Sequence, residues 1–83
     1  MKFKAEINVM PLKELLDPQG KAVAGSMKNL NLPEVKDVRI GKHITLKIEA
    51  TDKTQATEKV EQACKKLLVN PVIEYFEFEV VEE

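Results

Sequence analysis

Val35-Lys36-Asp37-Val38-Arg39-Ile40-Gly41-Lys42-His43-Ile44-Thr45-Leu46-Lys47-Ile48-Glu49-Ala50 lies at the middle of the chain, and its reading decides the fold. Val35, Asp37 and Arg39 alternate with Lys36, Val38 and Ile40, and Ile44, Leu46 and Ile48 alternate with Thr45, Lys47 and Glu49. A period of two marks a strand, because successive side chains of an extended chain point to opposite faces. Gly41-Lys42 between the two runs predicts a two-residue hairpin with glycine in the first central position.

Outward from that pair, the same reasoning assigns the rest. Phe3, Ala5, Ile7 and Val9 alternate with Lys2, Lys4, Glu6 and Asn8, a strand from Lys2 to Met10 that Pro11 ends for want of an N–H. Asp17-Pro18-Gln19-Gly20 reads as a helix start, with Asp17 capping and Pro18 at the first helical position. Ala22, Val23, Met27 and Leu30 continue it at helical spacing to Asn31 and Pro33, and its two glycines, Gly20 and Gly25, point to close approach of another backbone. Thr51 or Thr54 is expected to cap a second helix carrying Ala56, Val60, Ala63, Cys64, Leu67 and Leu68, which Asn70-Pro71 stops. A last strand runs from Ile73 to Val81. The order β-α-β-β-α-β predicts one α+β domain over residues 1–83, a ferredoxin-like four-stranded antiparallel sheet with both helices on one face.

Size and charge narrow the function classes. In 83 residues, 33% are charged and 43% apolar. So short a chain, with one cysteine and no Cys/His cluster, lacks a disulfide or metal to staple it, which points to self-association or docking on a larger partner. Thirteen Lys and Arg against fourteen Asp and Glu are spread evenly, so the basic patch that a phosphate backbone requires is missing and nucleic acid is not an expected partner. Nor do the second and third strands carry the aromatic residues with which an RNA-binding sheet stacks bases. No apolar run approaches the ~20 residues of a membrane span. A free cysteine without a secretory signal points to the cytoplasm.

Catalytic chemistry is sparse. Gly20, Gly25 and Gly41 form no phosphate-binding loop, and Ser26 stands mid-helix outside any nucleophile elbow. Cys64 falls on an apolar stripe, where burial holds a thiol protonated. His43 is the only imidazole, and it reads as a turn residue or a contact for a partner or ligand. Glu77, Glu79, Glu82 and Glu83 lack a His or Cys to join them in a metal site. No catalytic, metal or cofactor site is expected on this chain.

Three stretches are more specific than these signals: Leu16-Asp17-Pro18-Gln19-Gly20, Val35-Lys36-Asp37-Val38-Arg39-Ile40-Gly41-Lys42, and Lys66-Leu67-Leu68-Val69-Asn70-Pro71-Val72-Ile73-Glu74. Their order and spacing resemble the PurS subunit family of phosphoribosylformylglycinamidine (FGAM) synthase over essentially the whole chain. The resemblance implies a non-catalytic subunit of an ATP-dependent carbon–nitrogen ligase of purine biosynthesis. It would be a homodimer or tetramer, bridging the glutaminase PurQ and the synthetase PurL and supporting ammonia transfer, with ATP and Mg on PurL. On that footing Asp17, Gln19, Asp37, Arg39, Gly41, Lys42 and His43 are the expected interface residues. Asp37 and Arg39 would share a strand face, either buried at a subunit contact or as a solvated ion pair. The alternative from the fold alone is an ACT-type dimer that senses a metabolite, and a small enzyme built on His43 is a third.

Overall fold

A computed structural model describes residues 1–83. Five elements follow in the order β1 (Lys2–Pro11), α1 (Pro18–Asn29), β2 (Lys42–Glu49), α2 (Lys53–Ala63) and β3 (Glu74–Glu82), and a π-helical turn, Cys64–Leu68, extends α2. β1 is central in an antiparallel sheet of order β2-β1-β3. Its alternation sets the register: Ala5 stands between Leu46 and Val80, and Ile7 between Ile44 and Phe78. The apolar sides of the strands therefore share one face, while Glu6 and Asn8 share the other with His43, Thr45, Glu77 and Glu79.

α2 lies on the apolar face. Ala56, Val60 and Cys64 are fully buried against Phe3, Ala5, Ile7 and Val9, none of them more than 1% exposed. Asp52, rather than Thr51 or Thr54, caps α2: its carboxylate accepts the Gln55 N–H at 2.8 Å, and Gln55 Oε1 accepts the Thr51 N–H at 2.8 Å. In the π turn the Val69 N–H reaches back five residues to the Cys64 carbonyl at 3.0 Å. That wider turn shifts the helical stripe, so Leu68 joins the core while Leu67, at the same spacing in the sequence, is 82% exposed.

α1 begins as the sequence predicts, with Asp17 as its cap and Pro18 in its first turn. It ends in a Schellman-type turn: Asn31 takes φ 63°, the Asn31 N–H donates to the Lys28 carbonyl, and the Leu32 N–H donates to that of Met27 at 3.0 Å. Asparagine suits that left-handed position because its short polar side chain tolerates it.

Two expectations fail together. Residues 35–40 take no regular secondary structure and join no sheet, so the single chain has three strands, not four. Nor does α1 pack along the sheet, which only α2 covers. The cause lies at Gly41-Lys42. A two-residue loop with glycine first needs a positive φ there, and no glycine here has one. Lys42 is already opposite Val9 in the ladder. A side chain on Gly41 would fall on the Val9 carbonyl and the Met10 sulfur. With no free residue the chain cannot reverse, and α1 with Val35–Ile40 forms an arm projecting past the end of β1. The molecule measures 51 × 26 × 14 Å, and its radius of gyration of 16.5 Å exceeds the about 12 Å of a compact chain this long.

Urea denaturation will separate two residues that share one stripe in the sequence. Val60→Ala is expected to cost about 1.5–3 kcal/mol, the worth of a fully buried valine side chain, whereas Leu67→Ala should stay within about 0.5 kcal/mol. Equal losses would contradict the register shift at the π turn.

A candidate subunit interface where the arm meets the sheet

Two of the specific stretches, residues 16–20 and 35–42, are separated in the sequence but close on each other at the base of the arm. Asp17 Oδ1 accepts the Gly20 N–H at 3.0 Å and Oδ2 accepts the Ile40 N–H at 2.9 Å. One carboxylate thus caps α1 and ties the returning segment to it. The hydrogen bonds from Gly20 and then Ile40, with a smaller contribution from the Arg39 charge, hold this carboxyl below its ordinary range. Gly20 is buried because the Val38 carbonyl passes where a Cβ would stand.

Arg39 completes the junction. Its Nη2 donates to the Pro11 carbonyl at 2.6 Å and to the Leu12 carbonyl at 3.0 Å, with Nη1 3.5 Å from that of Lys13. These carbonyls lie at the last residue of β1 and in the two residues after it, where a planar fork can reach several at once. Asp37 stands exposed and forms no ion pair with Arg39, so the strand-face pair drawn from the sequence does not exist in this chain.

Beside the junction is an open hollow of about 270 Å³, lined by Asp17, Pro18, Gln19, Gly41, Lys42 and Glu74 among others. Lys42 Nζ lies 3.7 Å from Glu74 Oε2. Gln19 is exposed at its rim. Asp17, Gln19, Gly41 and Lys42 are therefore neighbours, with Arg39 next to them. Glu74 was not among the residues singled out from the sequence; it belongs to the third stretch, where Asn70-Pro71 reads only as a turn. Its Oε1 also accepts the Asn70 N–H at 2.8 Å, which ties that turn to the start of β3.

His43 belongs to a different cluster, on the polar face of the sheet. Its Nδ1 is 2.7 Å from Asn8 Oδ1, its Nε2 meets the Glu6 carboxylate, and Thr45 Oγ1 donates to the same carboxylate at 3.1 Å. The His43 hydrogen bond is the main cause lowering the Glu6 pKa, and Thr45 adds to it. The Thr45 hydroxyl and the imidazole both bond to the Glu6 carboxylate rather than to each other. Cys64 is enclosed in the core, where burial pushes its thiol pKa up. No three His, Cys, Asp or Glu side chains converge as metal ligands.

The fold and junction thus define a small α+β protein whose motif residues clamp its own backbone and frame an open surface. The sequence model of the family PurS: Phosphoribosylformylglycinamidine (FGAM) synthase matches residues 4–82, and the chain belongs to that family. The PurS subunit of Bacillus subtilis is 41% identical over 80 residues, covering 96% of this chain and 94% of that one. That of Methanocaldococcus jannaschii is 35% identical over 78 residues, covering 94% of each. Among solved structures, PurS of Thermus thermophilus superposes with a TM-score of 0.85 at 36% identity, over 100% of this chain and 99% of that one. A chain of PurLQS from Thermotoga maritima does so with a TM-score of 0.88 at 37% identity, over 98% and 99%.

Two carboxylates, Asp17 at the junction and Glu6 on the polar face of the sheet, set an acid limit on stability. Asp17 and Glu6 have folded pKa values below their ordinary 3.8 and 4.5. Each therefore contributes stability that is complete above those values and is lost as pH falls through the lower folded ones. Urea midpoints measured between pH 6 and pH 2 should decline on that limb, and Asp17→Asn should decline less steeply than the parent. Parallel limbs would contradict the ionic cap. Arg39→Lys keeps the charge but not the fork, and should lose about 1–3 kcal/mol.

Proposed function

We propose that this PurS-family subunit of FGAM synthase is a non-catalytic part of the complex, joining the glutaminase PurQ to the synthetase PurL so that ammonia from glutamine reaches formylglycinamide ribonucleotide. ATP and Mg belong to PurL on this reading. The observation that carries it is the near full-length match, arm included, to a chain of PurLQS. The hollow at the base of the arm, with Gln19, Lys42 and Glu74 open to solvent at its edge, is the surface assigned to partner contact. Asp17, Arg39 and Gly41 support that surface by fixing the arm, and His43 and Asp37 lie outside the hollow as secondary contact candidates.

The chain works as a homo-oligomer in the cytoplasm on the same reading. Its elongated shape favours a second copy, because a 16.5 Å radius of gyration leaves much apolar surface half-covered. No helix is long and apolar enough to cross a membrane. A metabolite-sensing ACT-type module is not favoured, given the family match over residues 4–82.

Reconstitution tests the reading. FGAM formation by PurL and PurQ is measured with glutamine or with an ammonium salt, in each case with and without this chain. The chain should restore the glutamine-driven reaction, leave the ammonium-driven one much less affected, and turn over nothing alone. Gln19→Ala and Lys42→Ala should raise the concentration of chain needed for half-maximal activity by about tenfold, equivalent to about 1.4 kcal/mol each. Activity of the chain alone, or no effect in either assay, would falsify the proposal.

A further inference from the structure

β3 closes the sheet on one side, and no strand lies beyond it. The Leu12 N–H donates to the Ile73 carbonyl and the Glu83 N–H to that of Lys2, both at 2.9 Å. Opposed residues of an antiparallel ladder alternate between bonded and non-bonded pairs, so in this register the odd-numbered residues of β3 bond to β1. Phe76, Phe78, Val80 and Glu82 therefore direct their N–H and carbonyl groups outward, along a strand that contains no proline. Such a row is a template for one more strand.

The side chains flanking that edge specify what the added strand must carry. Glu77 and Glu79 stand exposed on the polar face and have no ion-pair partner, since Lys4 and His43 meet Glu6 and Lys47 meets Glu83. Glu79 is also opposite Glu6 in the ladder, which adds a third carboxylate to the same surface. A hollow of about 260 Å³ opens there, with Glu6, Asn8, Glu77 and Glu79 in its lining. On the other face Phe76 and Phe78 are half-buried and stacked, their ring centroids 6.1 Å apart. A second hollow, also about 260 Å³, has Val69, Pro71, Tyr75 and Phe76 in its lining. Tyr75 and Phe76 belong to opposite faces of the strand, so this hollow opens at the edge itself. A copy of the same edge is a poor occupant: two β3 strands side by side would set glutamates against glutamates, and like charges across a strand pair are destabilising.

We propose that the β3 edge is a strand-addition site for an extended segment of a different protein, with Lys or Arg at alternate positions and apolar residues between them. The segment's backbone bonds to Phe76, Phe78 and Val80, its cations meet Glu77 and Glu79, and its apolar side chains lie along Phe76 and Phe78. The acidic row thus repels a second copy of this edge and selects a cationic strand. None of these residues lines the hollow at the base of the arm, so the site goes beyond the subunit reading and stands or falls without it.

The full chain is titrated with a capped peptide of about eight residues that alternates lysine and valine, and amide exchange is followed residue by residue. The Phe76, Phe78 and Val80 amides should gain protection, while those of Glu77 and Glu79, already bonded to β1, should not change. Affinity should fall as salt is raised. Glu77→Gln combined with Glu79→Gln should weaken the peptide about tenfold without lowering the urea midpoint, because both side chains are exposed. A peptide alternating glutamate and valine, or the lysine peptide N-methylated throughout, should leave the exchange rates as they are. No protection by the lysine peptide, or equal binding of the glutamate peptide, overturns the proposal. Undiminished affinity of the double glutamine variant overturns it as well, since the charge match is what selects the occupant. So does protection of these three amides that grows with chain concentration in the absence of peptide, which would make a second copy the occupant.

Discussion

Lys42 enters the ladder opposite Val9 two residues after Ile40 has bonded to Asp17, and the single residue between them, Gly41, is pressed against the Val9 carbonyl and Met10. That short link governs the rest of the molecule. A strand cannot reverse through one residue of ordinary backbone, so the preceding segment departs from the sheet and takes α1 with it. The 51 Å length, the three-stranded sheet and the half-covered face of β2 all follow. A glycine is required there because any side chain would collide with the end of β1.

An arm that does not pack along its sheet must be held at its base, and the polar residues of the two central motifs do that. The Asp17 carboxylate serves two N–H groups from different segments, and Arg39 serves carbonyls at the end of β1. Charge-assisted hydrogen bonds are about twice as strong as neutral ones and fix direction as well as distance. They can therefore orient a lever for which little apolar contact is available. On the proposed reading, the fixed arm base presents Gln19, Lys42 and Glu74 around one hollow for docking on larger subunits.

Much of this was legible beforehand. The alternating faces of β1, β2 and β3, the Asp17 cap with Pro18 behind it, and the burial of Cys64 all rest on local periodicity or local capping, which depend on residues a few positions apart. Among the candidate site residues, Asp17, Gln19, Arg39, Gly41 and Lys42 do come together. Asp37 and His43 do not join them, because strand alternation says which face a side chain takes but not whether the strand has a sheet to belong to. Glu74 and the Glu6–Asn8–His43 group were not visible, since each is made by pairing residues about 30 or more positions apart.

The sequence by itself determined the elements, their faces and their ends, for the periods of two and of about 3.6 and the Asp-Pro and Asn signals act within one turn or one strand. Tertiary structure decided where the segment of residues 35–40 goes. That outcome depends on the space beside Gly41, on the carbonyl and sulfur atoms of β1 that occupy it, and on an edge of β2 that the chain's own arm cannot reach.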